Sequence, residues 1–537
     1  MLQVENVGYE IEGHRIFRDV TFAINKGDKI GLVGPNGAGK TTLLEIIAGH
    51  IQPTEGSIVK GDYEVGVLPQ DLTQWLRKTV YEFVEEVTGV TQVRIDYEKS
   101  CVKIETDTNN KTLEEYEHAL EKYNKYNVAN FDNTLERALA LAGLKNIDVH
   151  HDLDLFSGGQ KTRIALAALF AANYDVVLLD EPTNNLDDQG IVILEKFIKN
   201  SRSAFTMISH DRRFLRNATS RILELLGGEK GVNRYGLGYD EYVISREKER
   251  EASVKRYDQY EVERKRLRKA ATKASSRSDS ASGQRSRSDN DKLSSNFRGE
   301  KATSRHARQA QVITSRLDRL EPPERPEEEI ALLFSLNEVD RKKVTLLTID
   351  SLTVKYENSD KVYGPLSLTI VNGDRVAITG NNGVGKTTLL KAIVGQQPIY
   401  SGFRKLGTET KLIYMDQRQS VPLPNSNAIK NLRILAPSIE LHEAIRLLIR
   451  FNLHREVIDV VPAKELSGGE RAKIILASMV ANKANLLVID EPTNNLDIPT
   501  IEGLETALRG YKGSIIVVSH DRDFLKSLDI NHKIHIN

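Results

Sequence analysis

One cysteine, Cys101, stands in 537 residues. That count leaves no internal disulfide and no cysteine-built zinc site, and Cys101 itself has no evident task. Long apolar runs are also missing: none approaches the roughly 18–20 residues a membrane helix needs. The opening residues, MLQVENVGYE, enter a strand-like pattern without a charged-then-apolar leader. These absences point to the cytoplasm. Net charge is lacking too, with 75 Lys and Arg against 75 Asp and Glu. At 39% apolar and 28% charged residues the chain reads as soluble with substantial cores, and its length calls for two or three domains.

The neutral total conceals one basic stretch. Between Glu241 and Leu320 there are 21 Lys and Arg against 12 Asp and Glu, so the remainder carries the opposite excess. The charge peaks between Arg264 and Arg308, with 14 basic and 4 acidic residues. Phosphate contact accounts for such a concentration, because each Lys or Arg that meets a phosphate releases counterions. A solvated linker kept soluble by its charge is the plainer account. From about Glu241 to Ala274 the chain has no Pro or Gly and is rich in helix formers. Tyr257, Tyr260, Leu267, Ala271 and Ala274 make a thin apolar stripe that Arg264 interrupts, and Ala310, Ile313, Leu317 and Leu320 make a cleaner one. Pro322 and Pro323 end the second limb. Two such stripes joined by a Ser/Asp/Gly/Arg-rich segment predict an antiparallel helical hairpin, its first limb roughly 50 Å long at about 1.5 Å per residue. The tip, at about 275–295, has only Ala281 and Leu293 as apolar residues and is expected to be disordered until something binds it.

On either side of this hairpin the same motifs occur in the same order. Residues 2–7 and 20–33 read as strands, and apolar Ile30, Leu32 and Val33 run into Gly34-Pro35-Asn36-Gly37-Ala38-Gly39-Lys40-Thr41-Thr42, followed by helical spacing. Strand, glycine-rich loop and helix are the context a phosphate-binding loop requires: backbone N–H groups turn inward and the helix N-terminus adds positive potential. Lys40 can reach the β- and γ-phosphates and the Thr41 hydroxyl can bind Mg²⁺. The pattern returns at Gly380-Asn381-Asn382-Gly383-Val384-Gly385-Lys386-Thr387-Thr388, so the chain holds an internal duplication. Phe156-Ser157-Gly158-Gly159-Gln160 matches Leu466-Ser467-Gly468-Gly469-Glu470. In each half four apolar residues lead into Asp180-Glu181 or Asp490-Glu491, which places two carboxylates at the C-terminal end of a buried parallel strand, where α/β sheets bind ligands. Asp180 and Asp490 suit a Mg²⁺ shell, and Glu181 and Glu491 suit the base that orients attacking water. Gln70 and Gln417, at near-equal intervals after their lysines, can complete the metal or water shell. His210 and His520, in Ser-His-Asp-Arg strings, can touch the γ-phosphate.

Both halves resemble ATP-binding cassettes, since a Ser-Gly-Gly signature after a phosphate loop is specific to that family and occurs twice. The resemblance implies an α/β fold with two P-loop cassettes joined by a long α-helical hairpin linker: 1–239, 240–321 and 322–537. It implies a monomer whose cassettes pair head to tail around two ATP molecules. One site would join Lys40 and Glu181 to Ser467 and Gly469; the other would join Lys386 and Glu491 to Ser157 and Gly159. Tyr9 and Tyr356 stand where the family stacks an aromatic ring on adenine.

The halves differ in length. Lys40 to Glu181 spans 141 residues and Lys386 to Glu491 spans 105, so the first half carries an insertion within about 76–134 that includes the helical, charged KTLEEYEHALEKYNKYN. Two cassettes with no membrane span, a charged helical linker, an arm in the first cassette and the strings DEPTNNLD and SHDR-x-FL in both halves resemble the ABC-F family of ribosome-associated ATPases. Asn185 and Asn495 stand where that family usually has His, and Phe156 where it has Leu; neither change removes a metal ligand or the base. The family's linker enters the tRNA exit site and approaches the peptidyl-transferase centre, and its arm points to the large-subunit stalk. The implied partners are therefore large-subunit rRNA and P-site tRNA, with no separate membrane subunit. Arg264, Lys265, Arg266, Arg268 and Lys269 on the stem and Arg285 and Arg287 at the tip are the candidate contacts. The long Ser/Arg-rich tip, the modest arm and the absence of a basic tail after His520 resemble the antibiotic-resistance group, which dislodges lincosamides, pleuromutilins and streptogramins A. A housekeeping translation factor is the alternative. The ATPase subunit of a transporter fits worse because of the basic hairpin, and a DNA-processing ATPase fits worse because its cassettes flank longer coiled coils or zinc sites.

Overall fold

The computed structural model describes residues 1–61, 63–68, 72–107, 109–183, 186, 188–228, 231–236, 238–283, 311–323, 344–355, 362–380, 383–451, 453, 455–494 and 496–536, with backbone only at 188, 273–283 and 456. It divides into two compact units: Met1–Tyr239 with Glu329–Asn537, and Asp240–Glu328.

The first unit opens on a hairpin of β1 (Leu2–Ile11) and β2 (His14–Ile24). Glu12 and Gly13 take φ of 49° and 82°, the left-handed pair that a two-residue primed turn needs. The sequence predicts one extended region from 20 to 33. The structure breaks it at Asn25, whose N–H donates to the Asp28 carboxylate at 2.8 Å, with Gly27 at φ 81°. Strand β3 (Lys29–Val33) follows, then α1 (Lys40–Ala48), β4 (Glu55–Val59) and β5 (Val65–Leu68). The insertion is helical: α2 (Val80–Val87), α3 (Val90–Thr106), α4 (Asn110–Lys125) and α5 (Phe131–Leu141). Tilted ring pairs join α3 to α4, with Tyr97 4.4 Å from Tyr123 and 5.9 Å from Tyr116. The half closes with α6 (Gly158–Ala171), β6 (Val176–Asp180), α7 (Asp188–Asn200), β7 (Ala204–Ile208), α8 (Arg212–Ala218), β8 (Arg221–Leu225) and β9 (Val232–Tyr235).

The second unit carries α9 (Tyr239–Gly283), which begins at the boundary, and the return limb α10 (311–318). Helical backbone runs past Ala274 into the expected tip, because no Pro or Gly interrupts it until Gly283. On α10 the residues turned from solvent are Ile313 and Leu317, with Leu320 just beyond, as the stripe requires. On α9 Leu267 is buried, and Arg264 joins the stripe by laying its guanidinium over the Tyr260 ring at 5.7 Å. The limbs meet at Glu263 and Arg316, 4.0 Å apart.

The second half repeats the first: β10 (Thr345–Lys355), β11 (Val362–Val371), β12 (Arg375–Thr379), α11 (Lys386–Val394), β13 (Ser401–Leu406), β14 (Leu412–Met415), α12 (Ala428–Leu435), α13 (Leu441–Arg450), α14 (Arg455–Asp459), α15 (Gly468–Ala481), β15 (Leu486–Asp490), α16 (Ile498–Gly510), β16 (Ser514–Val518), α17 (Arg522–Ser527) and β17 (His532–His535). Each half has an antiparallel three-stranded sheet, β2-β1-β4 or β11-β10-β13, and a larger sheet, β5-β6-β7-β3-β8-β9 or β14-β15-β16-β12-β17, in which only β9 runs antiparallel. The order β6-β7-β3 sets the C-terminal ends of three strands side by side, and β15-β16-β12 does so again. Helices α1 and α11 pack their apolar sides between the small and large sheets, while α6 and α15 cover the opposite face. Among the described residues no helix is long and apolar enough to cross a membrane.

Asn431, fully buried on α12, holds the turn before it: its amide donates to Leu423 O, Ser426 O and Asn427 O, and its carbonyl accepts Leu423 N at 2.7 Å. Asn431→Ala strands these backbone groups and is expected to cost about 2–4 kcal/mol, read as an earlier urea midpoint for the transition that unfolds the second half.

Candidate active site

The site is assembled at the strand ends. After β3 the chain must turn where a side chain has no room: a Cβ on Gly34 would lie 2.1 Å from Leu225 O, and on Gly380 2.4 Å from Ile536 O. The last loop glycines, Gly39 and Gly385, sit at φ 89° and 90° with Phe17 and Tyr363 against them. Helices α1 and α11 start at once with Lys40 and Lys386, whose ammonium groups fold back over the loops. Lys40 Nζ donates to Gly34 O at 2.9 Å and Pro35 O at 3.0 Å; Lys386 Nζ donates to Gly380 O at 2.8 Å and lies 3.1 Å from His520 Nε2. Burial pulls the Lys40 pKa down against the charges of Asp497, Glu181 and Asp180.

Opposite each lysine stand the two carboxylates. Thr41 Oγ1 donates to Asp180 Oδ2 at 2.7 Å. Asp490 is fully buried, and neither of its oxygens makes a well-formed hydrogen bond among the described residues. Burial raises the pKa of both aspartates. Glu181 and Glu491 follow with φ of 47° and 44°, a left-handed backbone that costs a non-glycine residue roughly 1–2 kcal/mol, taken up identically in both halves. A cross-strand bond secures each kink: Glu181 N donates to Ile208 O at 3.0 Å and Glu491 N to Val518 O at 2.8 Å. Burial pushes both glutamates up to about 7. His210 Nε2 lies 3.3 Å from Glu181 Oε1, and His520 Nε2 lies 3.3 Å from Glu491 Oε1. Burial and the Lys40 charge hold His210 down at about 4, so that contact involves a neutral imidazole and is no ion pair at neutral pH.

A single cavity of 1260 Å³ runs between the halves. Asn36, Gly37, Gly39, Lys40, Thr41, Thr42, Asp180, Glu181 and His210 line it from the first half, and Gly383, Gly385, Lys386, Thr387, Thr388, Gln417, Asp490, Glu491 and His520 from the second. Gly158 and Gly159 face the cavity at the start of α6, which Ser157 caps. Ser467 caps α15 in the same way, but Gly468 is half-buried and Gly469 lies under Thr500, 3.1 Å from where its Cβ would be, so the second signature does not line the cavity. Asp497 makes the crossing there: its Oδ2 accepts Asn36 N at 2.7 Å. Gln70, Tyr356, Asn382, Asn185, Asn495, Arg285 and Arg287 lie outside the described residues.

Tyr9 does not reach the cavity. Its ring sits 6.4 Å from Phe17 and packs on the core between the sheets, while Ile11 and Ile16 take the lining positions. Among the described residues the aromatic that lines the second site is Tyr363. Phe17 and Tyr363 are 346 residues apart, as Lys40 and Lys386 are, so carrying the repeat offset onto the aromatics would have found the pair.

The oxygen groups fit Mg²⁺. Among the described residues no cluster of three or more His, Cys, Asp or Glu makes a protein-only metal cage. One hydroxyl and one carboxylate per site, Thr41 with Asp180 and Thr387 with Asp490, match an ion that usually takes its remaining ligands from water and substrate phosphates.

The ABC transporter family pattern matches residues 17–184 and 363–494. Along its whole length the chain is 30% identical to ABC transporter F family member 2 of Arabidopsis thaliana, covering 76% of that protein. It is 31% identical to ATP-binding protein Uup of Escherichia coli K12 over 94% of this chain and 75% of that one. The chain belongs to the ABC-F family. It is an ATP-binding protein and an ATPase, and its two halves are the cassettes. Among solved structures, RNase-L Inhibitor shares the fold with a TM-score of 0.56 at 17% identity, over 98% of this chain and 86% of that one. The archaeal ribosome recycling factor crystallised with ribosomal stalk protein aP1 does so with 0.58 at 18%, over 97% and 86%.

The raised glutamates make stability depend on pH. Their ordinary value is 4.5, so between about 4.5 and about 7 the folded cassettes bind more protons than the unfolded chain. Stability then falls as pH rises through that window, by on the order of 3 kcal/mol per residue at its upper end. Glu181→Gln and Glu491→Gln remove the titrating group, so each variant should lose less melting temperature than the parent between pH 5 and pH 8.

Proposed function

We propose that this ATPase acts on ribosomes in the cytoplasm, inserting its linker near the tRNA exit site and the peptidyl-transferase centre to dislodge bound antibiotics. The basic helical hairpin between two cassettes carries the reading. Lys265 and Arg266 leave 74% and 79% of their side chains in solvent, and Arg268 and Lys269 are exposed beside them. Arg264 is turned onto Tyr260 and contributes less. Two solved structures that share the fold, an archaeal ribosome recycling factor and ribosome-bound archaeal Pelota with ABCE1, lend support.

In this reading residues 1–239 and 322–537 are the cassettes and 240–321 the linker. Lys40 and Lys386 exchange their loop carbonyls for the β- and γ-phosphates of ATP, with the backbone N–H groups of both loops around them. Thr41 with Asp180, and Thr387 with Asp490, hold Mg²⁺, joined by Gln70 and Gln417; the ion offsets phosphate charge. Glu181 and Glu491, as carboxylates, orient the attacking water, and His210 and His520 meet the γ-phosphate. Gly158 and Gly159 close over the Lys386 site, and Ser467 and Gly469 over the Lys40 site once Thr500 moves aside. The hairpin's long lever then carries its tip to the drug.

The double variant Glu181→Gln/Glu491→Gln should lower turnover by about 10²-fold or more while ATP stays bound, so that ATP-dependent co-sedimentation with ribosomes persists. Near-parent turnover overturns the assigned roles. Changing Lys265, Arg266, Arg268 and Lys269 to Gln should flatten the salt dependence of ribosome binding by up to about one unit per contact removed.

Deleting Ser276 to Ser288 leaves both sites and most of the stem, so ATPase activity should hold while translation loses protection from lincomycin or tiamulin in vitro. Equal protection by the deleted form reduces the tip to a linker. Drug-free effects on translation without any protection assign the chain to the housekeeping group.

A further inference from the structure

The cassettes meet at a second place, away from the phosphates. Arg212 opens α8 two residues after His210 and is 9% exposed. Its guanidinium forks onto Glu505 of the other cassette: Nη1 donates to Oε2 at 3.2 Å and Nη2 to Oε1. Nη2 also lies 3.3 Å from Asp521 Oδ2, and Asp521 directly follows His520. One side chain therefore ties the loop of His210 to the loop of His520. Burial works against the Arg212 charge, but the bonds to Glu505 and the charges of Asp521 and Glu505 outweigh it and hold the guanidinium more firmly protonated than usual.

Glu505 belongs to α16, the helix capped by Asp497. Asp497 accepts Thr500 N at 3.0 Å through Oδ1 and Asn36 N at 2.7 Å through Oδ2. Helix α16 therefore touches the first cassette both at its phosphate loop and at Arg212, about 12 Å apart along a rigid rod. Among the described residues the repeat shows no matching contact at Glu195. Glu195 occupies the position of Glu505 and is bonded at 3.0 Å by Asn217 of its own cassette. Ser527, at the position of Asn217, donates instead to Phe524 O and leaves Glu505 to Arg212.

We infer that Arg212 is a positioning residue that couples the two ATP sites, making the placement of His210 depend on the loop of His520 and on α16. Coupling of this kind usually changes an equilibrium about 5–150-fold. An Arg fork suits the task because it fixes direction as well as charge. The inference rests on the site assignments proposed above.

The test is amide hydrogen exchange on the full chain carrying Lys40→Ala, so that ATP with Mg²⁺ loads only the Lys386 site. With Arg212 and Glu505 present, ATP should slow exchange at 383–389, where it binds, and also at 209–215 of the other cassette, by about fivefold or more. Glu505→Gln should keep the first effect and cut the second at least threefold, and Arg212→Gln should abolish the second. Arg212→Lys keeps the charge, loses the fork and should also lose the second effect, so it decides the matter if Arg212→Gln fails to fold. Protection of 209–215 that is absent from the parent, or unchanged in Glu505→Gln and Arg212→Lys, overturns the coupling. Missing protection at 383–389 overturns the nucleotide site itself and the coupling with it.

Discussion

Taking a carboxyl group out of water is costly, and each cassette does so twice in succession at the end of one strand. Glu181 and Glu491 hold protons up to about pH 7 because burial disfavours their charge, and Asp180 and Asp490 are raised for the same reason. Much of the surrounding structure answers that cost. The left-handed backbone at Glu181 and Glu491 turns the second carboxyl toward the cavity, and a cross-strand bond from the same residue holds the turn. Lys40 and Lys386 stand opposite as counter-charges. A site arranged in this way is poised for a cation and a phosphate chain, because both relieve what the fold has imposed.

Elements whose chemistry lies within a few consecutive residues were legible. Phosphate loops, Asp-Glu pairs, Ser-Gly-Gly caps and histidine loops each announce themselves locally, and the strand order β6-β7-β3 brings them together as α/β topology requires. The hairpin stem was legible for a similar reason: Ile313, Leu317 and Leu320 turn from solvent at the spacing a helix dictates. What escaped depends on distance. Asp497 on Asn36 and Arg212 on Glu505 join residues 461 and 293 positions apart, and no local pattern marks such pairs. Tyr9 was misplaced because an aromatic upstream of a phosphate loop fits the core and the cavity equally well on composition. The φ values of Glu181 and Glu491 were beyond reach, since nothing in Asp-Glu-Pro signals a left-handed glutamate.

The two sites are not copies. Among the described residues Lys386 bonds Gly380 O and also lies 3.1 Å from His520 Nε2, while Lys40 bonds the carbonyls of Gly34 and Pro35. Gly158 and Gly159 stand open to the cavity, and Gly469 is covered by Thr500. Duplication preserves the groups that meet phosphate and lets those that meet the other cassette diverge. Asn217 and Ser527 illustrate the divergence: Asn217 bonds Glu195 within its own cassette, whereas Ser527 turns to Phe524 O and Glu505 bonds across to Arg212.

The character of the joint follows from what the cassettes have to do. An interface sealed by apolar side chains would keep them closed, because burying such surface is favourable whether or not nucleotide is present. Here the crossings among the described residues include an aspartate on a backbone N–H, a guanidinium on two carboxylates, and Arg216 on Asp523 at 3.0 Å. Buried ion pairs add little net stability, because desolvation consumes most of the attraction, but breaking one partner at a time is expensive. A joint of this type is weak against opening as a whole and stiff against sliding out of register. It suits two bodies that must separate and return to the same alignment around ATP.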